Sequence, residues 1–139
     1  MSVPKSLRGE SDAQFIKTAM DLADYTLEKV SRFPKRYTFY LSVKIHDSAL
    51  RVQDLVISAN SIYPTDEHGF RMRRDRLIAA NAELHALVPK IDQAHRNCGV
   101  DFKTMERWMQ LIDEEIHLIK GVLKRDRERF GKLLNDADN

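Results

Sequence analysis

Residues 41–62 read LSVKIHDSALRVQDLVISANSI, and this stretch indicates the fold class. Its apolar and small residues recur in alternating steps of four and three, which is the spacing of a seam between packed α-helices. The seam positions are Leu41, Ile45, Ser48, Val52, Leu55, Ala59 and Ile62. The stretch therefore predicts one long helix with a buried face.

The same spacing predicts three further helices, and glycine and proline fall mostly between them. The predicted helices span about residues 11–32, 37–61, 66–97 and 102–131, in one domain of residues 1–139 whose ends, 1–10 and 132–139, are flexible. The other expected buried faces are Ile16, Met20, Ala23, Leu27 and Val30; Phe70, Leu77, Leu84, Val88 and Ile91; and Met105, Met109, Ile112, Ile116, Ile119, Leu123 and Phe130. Trp108 widens the apolar face of the fourth helix, together with Leu111, Leu118 and Val122. The extra width would serve either core packing or an oligomer contact.

Local signals set the predicted helix ends. Ser11 opens a capping box, and Pro34 ends the first helix. Thr65 is the expected cap of the third helix, which Pro89 should bend. A left-handed Gly99 then ends that helix, and Asp101 caps the fourth.

Length and composition fit one compact domain, since 139 residues that are 42% hydrophobic can bury a core. Short connections favour an all-α, antiparallel up-down-up-down four-helix bundle. The single Cys98 excludes an internal disulfide and suits a reducing compartment. No apolar run could cross a bilayer, so we expect a cytoplasmic protein without a membrane partner.

Positive charge is concentrated in two segments, although the whole chain carries only +2. Residues 70–77 have a local charge of +3, and residues 120–132 have a local charge of +4. The predicted topology brings both segments to one end of the bundle, beside Lys5 and Arg8. Such a cluster attracts backbone phosphates, although cations near a helix C-terminus also simply complement the helix dipole.

The arginines of the third helix raise a separate question. Arg71, Arg73, Arg74 and Arg76 lie in the first turns of that helix, where positive charge opposes the dipole. Some interaction should offset this cost. We expect Arg73 and Arg74 to flank the core and Arg71 and Arg76 to point outward, so that the four cannot form one patch.

No catalytic, metal or cofactor site is predicted. Glu114 and His117 have the Glu-x-x-His spacing of di-iron bundles, but the helical wheel turns both toward solvent. No phosphate-binding loop, nucleophile elbow or metalloprotease motif is present in the sequence.

Three stretches together carry a family resemblance. They are FPKRYTFYLSVKIHDSALRVQDLVISANSIYP, FRMRRDRL and MERWMQLIDEEIHLIKGVLKRDRERF, within residues 28–130. Their order and spacing resemble the accessory variability determinant proteins of diversity-generating retroelements. The Phe-Pro-Lys turn is also similar to the four-helix-bundle proteins of ribosomal RNA intervening sequences, but SALRVQDLVISAN replaces the segment that normally follows it there.

The resemblance implies a non-enzymatic bundle that assembles as a barrel-like homopentamer. It implies binding to template-repeat RNA or DNA and to the reverse transcriptase of the same element, in support of mutagenic reverse transcription. The candidate contact residues would be Arg71, Arg73, Arg74, Arg76, Lys120, Lys124, Arg125, Arg127 and Arg129. The alternative is a structural or regulatory bundle of the intervening-sequence type without a nucleic-acid role.

Overall fold

The structure, a computed structural model, describes residues 10–134, with side chains from residue 13 onward. Every regular element within these residues is helical, so the all-α prediction is confirmed. The long helices are α1 (Glu10–Val30), α2 (Val43–Asn60), α3 (Glu67–Asn97) and α4 (Phe102–Phe130), and a 3-10 turn (Lys35–Tyr37) and a π-helical turn (Thr38–Ser42) precede α2. No helix among the described residues is long and apolar enough to cross a membrane.

The long helices pack as antiparallel neighbours. The Tyr25 hydroxyl donates to the Thr104 carbonyl oxygen at 3.2 Å, near the end of α1 and the start of α4. Earlier in α1, the Thr18 hydroxyl donates to Glu114, farther along α4, at 3.5 Å. The α1–α2, α2–α3, α3–α4 and α1–α4 pairs all pack together, which closes the four helices into a bundle. The start of α3 and the end of α4 therefore share one end, here called the basic pole.

The buried face of α1 matches the predicted one only in part, because Ala23 and Val30 are buried as predicted. Met20 and Leu27 are 46% and 51% exposed, whereas Phe15, Leu22 and Thr26 are buried. Both sets have helical spacing, so the sequence pattern does not decide between them. The structure selects the second face because Thr26 accepts a 2.9 Å hydrogen bond from Nε1 of the buried Trp108.

The buried face of α4 is also rotated from the prediction. Met105, Met109, Ile116 and Leu123 are only half-buried. Ile112, Ile119 and Phe130 are buried as predicted, and the other buried residues of α4 are Trp108, Leu111, Glu115, Val122 and Asp126. The core interpretation of Trp108 is thus confirmed, since its ring also packs edge-on against Tyr25. Two carboxyl groups lie on this face, and both are discussed below.

The predicted helix ends are mostly confirmed to within two residues. Asp66, rather than Thr65, caps α3, because its side chain accepts a 2.8 Å hydrogen bond from the Gly69 N–H. Asp101 caps α4 as predicted, and the hydrogen bond from the Thr104 backbone lowers the pKa of its carboxyl. Gly99 has the expected positive φ of 71°.

Three other boundaries need comment. Helix α3 continues through Pro89 as one helix. Regular α-helix in α2 begins at Val43, six residues later than predicted, because the chain first forms the 3-10 and π-helical turns. Residues 132–134, expected to be flexible, form a helical turn. The Ser11 side chain of the proposed capping box lies outside the described side chains. The Gln14 side-chain amide donates to the Thr18 hydroxyl at 3.0 Å.

Candidate nucleic-acid interface

Arg73, predicted to flank the core, is a core residue. It is 4% exposed, and its guanidinium donates to both carboxylate oxygens of Asp126, at 2.6 and 3.1 Å. The same guanidinium donates to the carbonyl oxygens of Ala59 and Ile62 at 3.3 Å. Ala59 lies in the last turn of α2, and Ile62 follows two residues after the end of that helix. Arg73 therefore ties α2, α3 and α4 together, and it is not available at the surface.

The other early cations of α3 also have local partners. Arg71 is exposed and pairs with Glu67, one turn earlier, at 2.7 Å. The Arg74 guanidinium lies 5.6 Å from the centre of the Phe70 ring. Arg76 donates to the Met72 carbonyl oxygen at 3.4 Å. These contacts, with the Arg73–Asp126 pair, offset the unfavourable position of four arginines near a helix N-terminus.

A groove of about 530 Å³ lies between the start of α3 and the last turns of α4. Its lining is apolar at Phe70, Ile78, Leu123 and Leu134 and basic at Arg74, Lys120, Lys124 and Arg127. We call it the basic groove. Its one carboxylate, on Asp126, is buried and already bound to Arg73. The two basic segments therefore meet here as the topology predicted.

The cations of the basic groove are open to solvent and to ligands. Lys120, Lys124 and Arg127 are exposed, and Arg74 is half-buried. Steps of four and three residues put the three α4 cations on one helix face. None of the four forms an ion pair with a carboxylate among the described residues. The groove thus presents four positive charges whose attraction for anions is not used within the described part of the chain.

Aromatic rings support this end of the bundle. Phe130 meets Tyr63 edge-on at 5.4 Å between ring centres, and it lies 6.4 Å from Phe70. Phe70 and Phe130 are buried, so they fix the spacing of α3 and α4 beneath the groove.

The remaining predicted contact residues lie outside the groove lining. Arg129 is exposed, and its guanidinium covers the Phe130 ring at 5.0 Å. Arg125 is half-buried and lies over Gly121, where an added Cβ would come within 3.3 Å of its Nη1. Lys5 and Arg8 fall outside the described residues. Of the nine predicted side chains, four line one groove.

The helical wheel correctly turned Glu114 and His117 toward solvent, since both side chains are exposed. Among residues 10–134, no group of three or more His, Cys, Asp or Glu side chains could hold a metal ion. Burial raises the pKa of the Cys98 thiol, which keeps it in its less reactive protonated form.

Sequence reasoning overlooked the buried carboxyl Glu115. This side chain is 0% exposed, and neither of its carboxyl oxygens has a hydrogen-bond partner among the described residues. Burial, with a smaller contribution from the charge of Glu114, raises the pKa of Glu115 from 4.5 to about 9. The group is therefore neutral near pH 7. Glu115 lies seven residues after Trp108 and eleven residues before Asp126, which puts the three side chains on one helix face. This spacing was the signal in the sequence that could have indicated its burial.

Comparison of the chain with protein-family models, curated proteins and solved structures finds no significant match.

Proposed function

We propose that the protein is a non-enzymatic helper of the accessory variability determinant type, which works in the cytoplasm. It would hold template RNA or DNA beside the reverse transcriptase of a diversity-generating retroelement. The order and spacing of the sequence motifs support the family part of the proposal. The basic groove, with four cations unpaired among the described residues, supports the nucleic-acid part.

The chemistry of the groove fits phosphate groups better than base edges. Lysine and arginine neutralise phosphates without reading sequence, and each contact releases counterions. The apolar lining can pack against the aliphatic stems of these side chains and hold the charged ends outward. We therefore expect affinity that depends strongly on salt and weakly on sequence.

The first prediction concerns this salt dependence. Changing Arg74, Lys120, Lys124 and Arg127 together to alanine should weaken RNA binding. It should also reduce the slope of log affinity against log salt by about 3, because each lost phosphate contact removes roughly 0.7–0.9. Fluorescence anisotropy at several salt concentrations measures both quantities. A variant that keeps the wild-type slope would contradict phosphate binding in the groove.

A matched control removes the same charge from other faces of the bundle. The control substitutions, all to alanine, are Lys17, Arg51, Lys90 and Arg96. Lys17 pairs with Asp21, Arg51 with Glu83, and Arg96 with Asp92. Since these cations lie outside the groove, their loss should change the salt slope by less than the groove variant does.

The second prediction concerns assembly. We propose that the chain forms a closed homo-oligomer, a pentamer by the family resemblance. Met20 and Leu27 on α1, and Val43 and Ile57 on α2, are large exposed apolar residues that a subunit contact would cover. Sedimentation velocity at micromolar concentration should give one species larger than the monomer. A monomer under these conditions would contradict the assembly.

The alternative is a structural or regulatory bundle of the intervening-sequence type without a nucleic-acid role. One observation favours it: Arg71 and Arg73 are already paired with Glu67 and Asp126. Neighbouring genes distinguish the two functions. A reverse transcriptase beside variable and template repeats supports the first, and an insertion within ribosomal RNA supports the second.

A further inference from the structure

A second positive segment lies at the opposite end of the bundle. Residues 31–46, SRFPKRYTFYLSVKIH, contain four cations and no acidic residue. They connect α1 to α2 and include the 3-10 and π-helical turns. The segment therefore carries a local charge of +4, equal to that of residues 120–132.

Two aromatic rings project from this segment. Phe39 and Tyr40 are 81% and 79% exposed, in the middle of the π-helical turn. Leu41 and Ser42, which follow directly, are buried and anchor the turn to the bundle. We call Phe39 and Tyr40 the aromatic tip. Burying these rings against a ligand would remove a large apolar surface from water.

The cations around the aromatic tip are available to a ligand. Lys35, Arg36 and Lys44 are exposed, and none of them forms an ion pair among the described residues. The Arg36 guanidinium stacks on the Tyr37 ring at 4.9 Å, so its charge stays at the surface. Arg32, the fourth cation, pairs with Glu28 at 3.1 Å. The tip thus combines open ring faces with three positive charges that form no ion pair within the described residues.

We propose that the aromatic tip binds single-stranded nucleic acid, with unpaired bases stacked on Phe39 and Tyr40 and phosphates held by Lys35, Arg36 and Lys44. Base faces are open only when a strand is unpaired, and exposed aromatic rings accept any base by stacking. A second copy of this pole would bring like charges together. Charge therefore favours a polyanion over a symmetric contact between two tips.

This inference rests on the proposed function and extends it to a second contact of a different kind. In the basic groove the aromatic residue Phe70 is 3% exposed, so no ring face is open to a base there. In this proposal the basic groove binds nucleic acid through charge alone, whereas the aromatic tip adds stacking of bases on its rings. The 31 residues of α3 separate the two ends by roughly 45 Å, at about 1.5 Å per residue.

The experiment compares two double variants at the tip. Phe39→Leu with Tyr40→Leu keeps apolar side chains but removes the ring faces, whereas Phe39→Trp with Tyr40→Trp keeps them. Binding is measured with an unstructured RNA oligonucleotide and with the same strand annealed to its complement. We expect the leucine variant to lose affinity for the single strand by about 30-fold, with little change for the duplex, and the tryptophan variant to retain affinity.

Salt and a control substitution separate this result from the test of the groove. The leucine variant should keep the wild-type salt slope, because stacking releases few counterions. Phe102→Leu removes a ring that is 71% exposed at the start of α4, outside the tip, and should leave RNA affinity unchanged. If the wild type binds no RNA, the proposed function itself fails.

Other results would overturn the stacking contact alone. These are RNA binding with equal affinity by the leucine and tryptophan variants, and equal loss for single strand and duplex. A leucine variant that keeps its RNA affinity but sediments as a smaller species would make the tip a subunit contact.

Discussion

Replacing Asp126 with alanine is expected to lower the free energy of unfolding by about 3–5 kcal/mol, because it leaves the Arg73 guanidinium buried without a counter-charge. Arg73 and Asp126 are 4% and 3% exposed, so water cannot replace the lost partner without opening the pole. The effect should be large although Asp126 contributes few apolar atoms. Urea denaturation monitored by circular dichroism measures it.

A double variant separates the ion pair from packing. Arg73→Met with Asp126→Leu removes both charges together, and such replacements of a buried pair are often neutral or stabilising. We expect the double variant to recover most of the stability that Asp126→Ala loses. If the double variant is as unstable as the single one, the contacts of Arg73 with the end of α2 dominate instead.

The exposed pair on the same helix is the control. Glu67 and Arg71 are one turn apart on α3 and 2.7 Å from each other, but both reach solvent. Glu67→Ala should therefore change stability by at most about 1 kcal/mol. This contrast would show that Arg73 is a structural arginine, while Arg74 remains a candidate for ligand contact.

Replacing Glu115 with methionine is expected to stabilise the protein at alkaline pH by about 2–4 kcal/mol. Burial holds the pKa of Glu115 at about 9 in the folded state, against the usual 4.5. Between these values the unfolded chain releases the proton and the folded chain keeps it, so rising pH favours unfolding. Methionine has a similar length, fits an apolar site and does not titrate.

The pH dependence gives the sharper measurement. The titration of Glu115 costs no stability below about pH 4.5, where the carboxyl is protonated in both states, and the cost grows as pH rises toward 9. Urea titrations at about pH 5 and about pH 8 should show the stability difference between Glu115→Met and wild type growing with pH. Glu114→Gln, at an exposed neighbour, should change stability by less than about 0.5 kcal/mol. A difference that stays constant with pH would contradict a buried neutral carboxyl.

The charged residues of the bundle have three different roles. Arg73 and Asp126 hold three helices together, and Glu115 lies neutral in the core. Arg74, Lys120, Lys124 and Arg127 surround a groove and have no carboxylate partner among the described residues. Of these three groups, only the last has the exposure that a polyanion needs. The overall charge of +2 conceals this division.

The sequence pattern alone determined the helical class, the number of long helices, most of their ends and the meeting of two basic segments at one pole. Periodicity and caps are local properties, and short connections force consecutive helices to run antiparallel. The Asp101 cap and the left-handed Gly99 followed from residue type and position. The exposure of Phe39 and Tyr40 at the aromatic tip did not follow from the sequence pattern.

Only the tertiary structure decided which face of α1 and of α4 is buried. In α1 and α4 two apolar stripes compete, and partner side chains on other helices decide between them, as Thr26 does for Trp108. The rotation of α4 that this packing selects buries Glu115 and Asp126 and leaves Lys120 and Lys124 exposed. Helical periodicity fixes the angle between residues within one helix but not the rotation of that helix against its neighbours. That rotation depends on packing and hydrogen bonds between residues far apart in the chain.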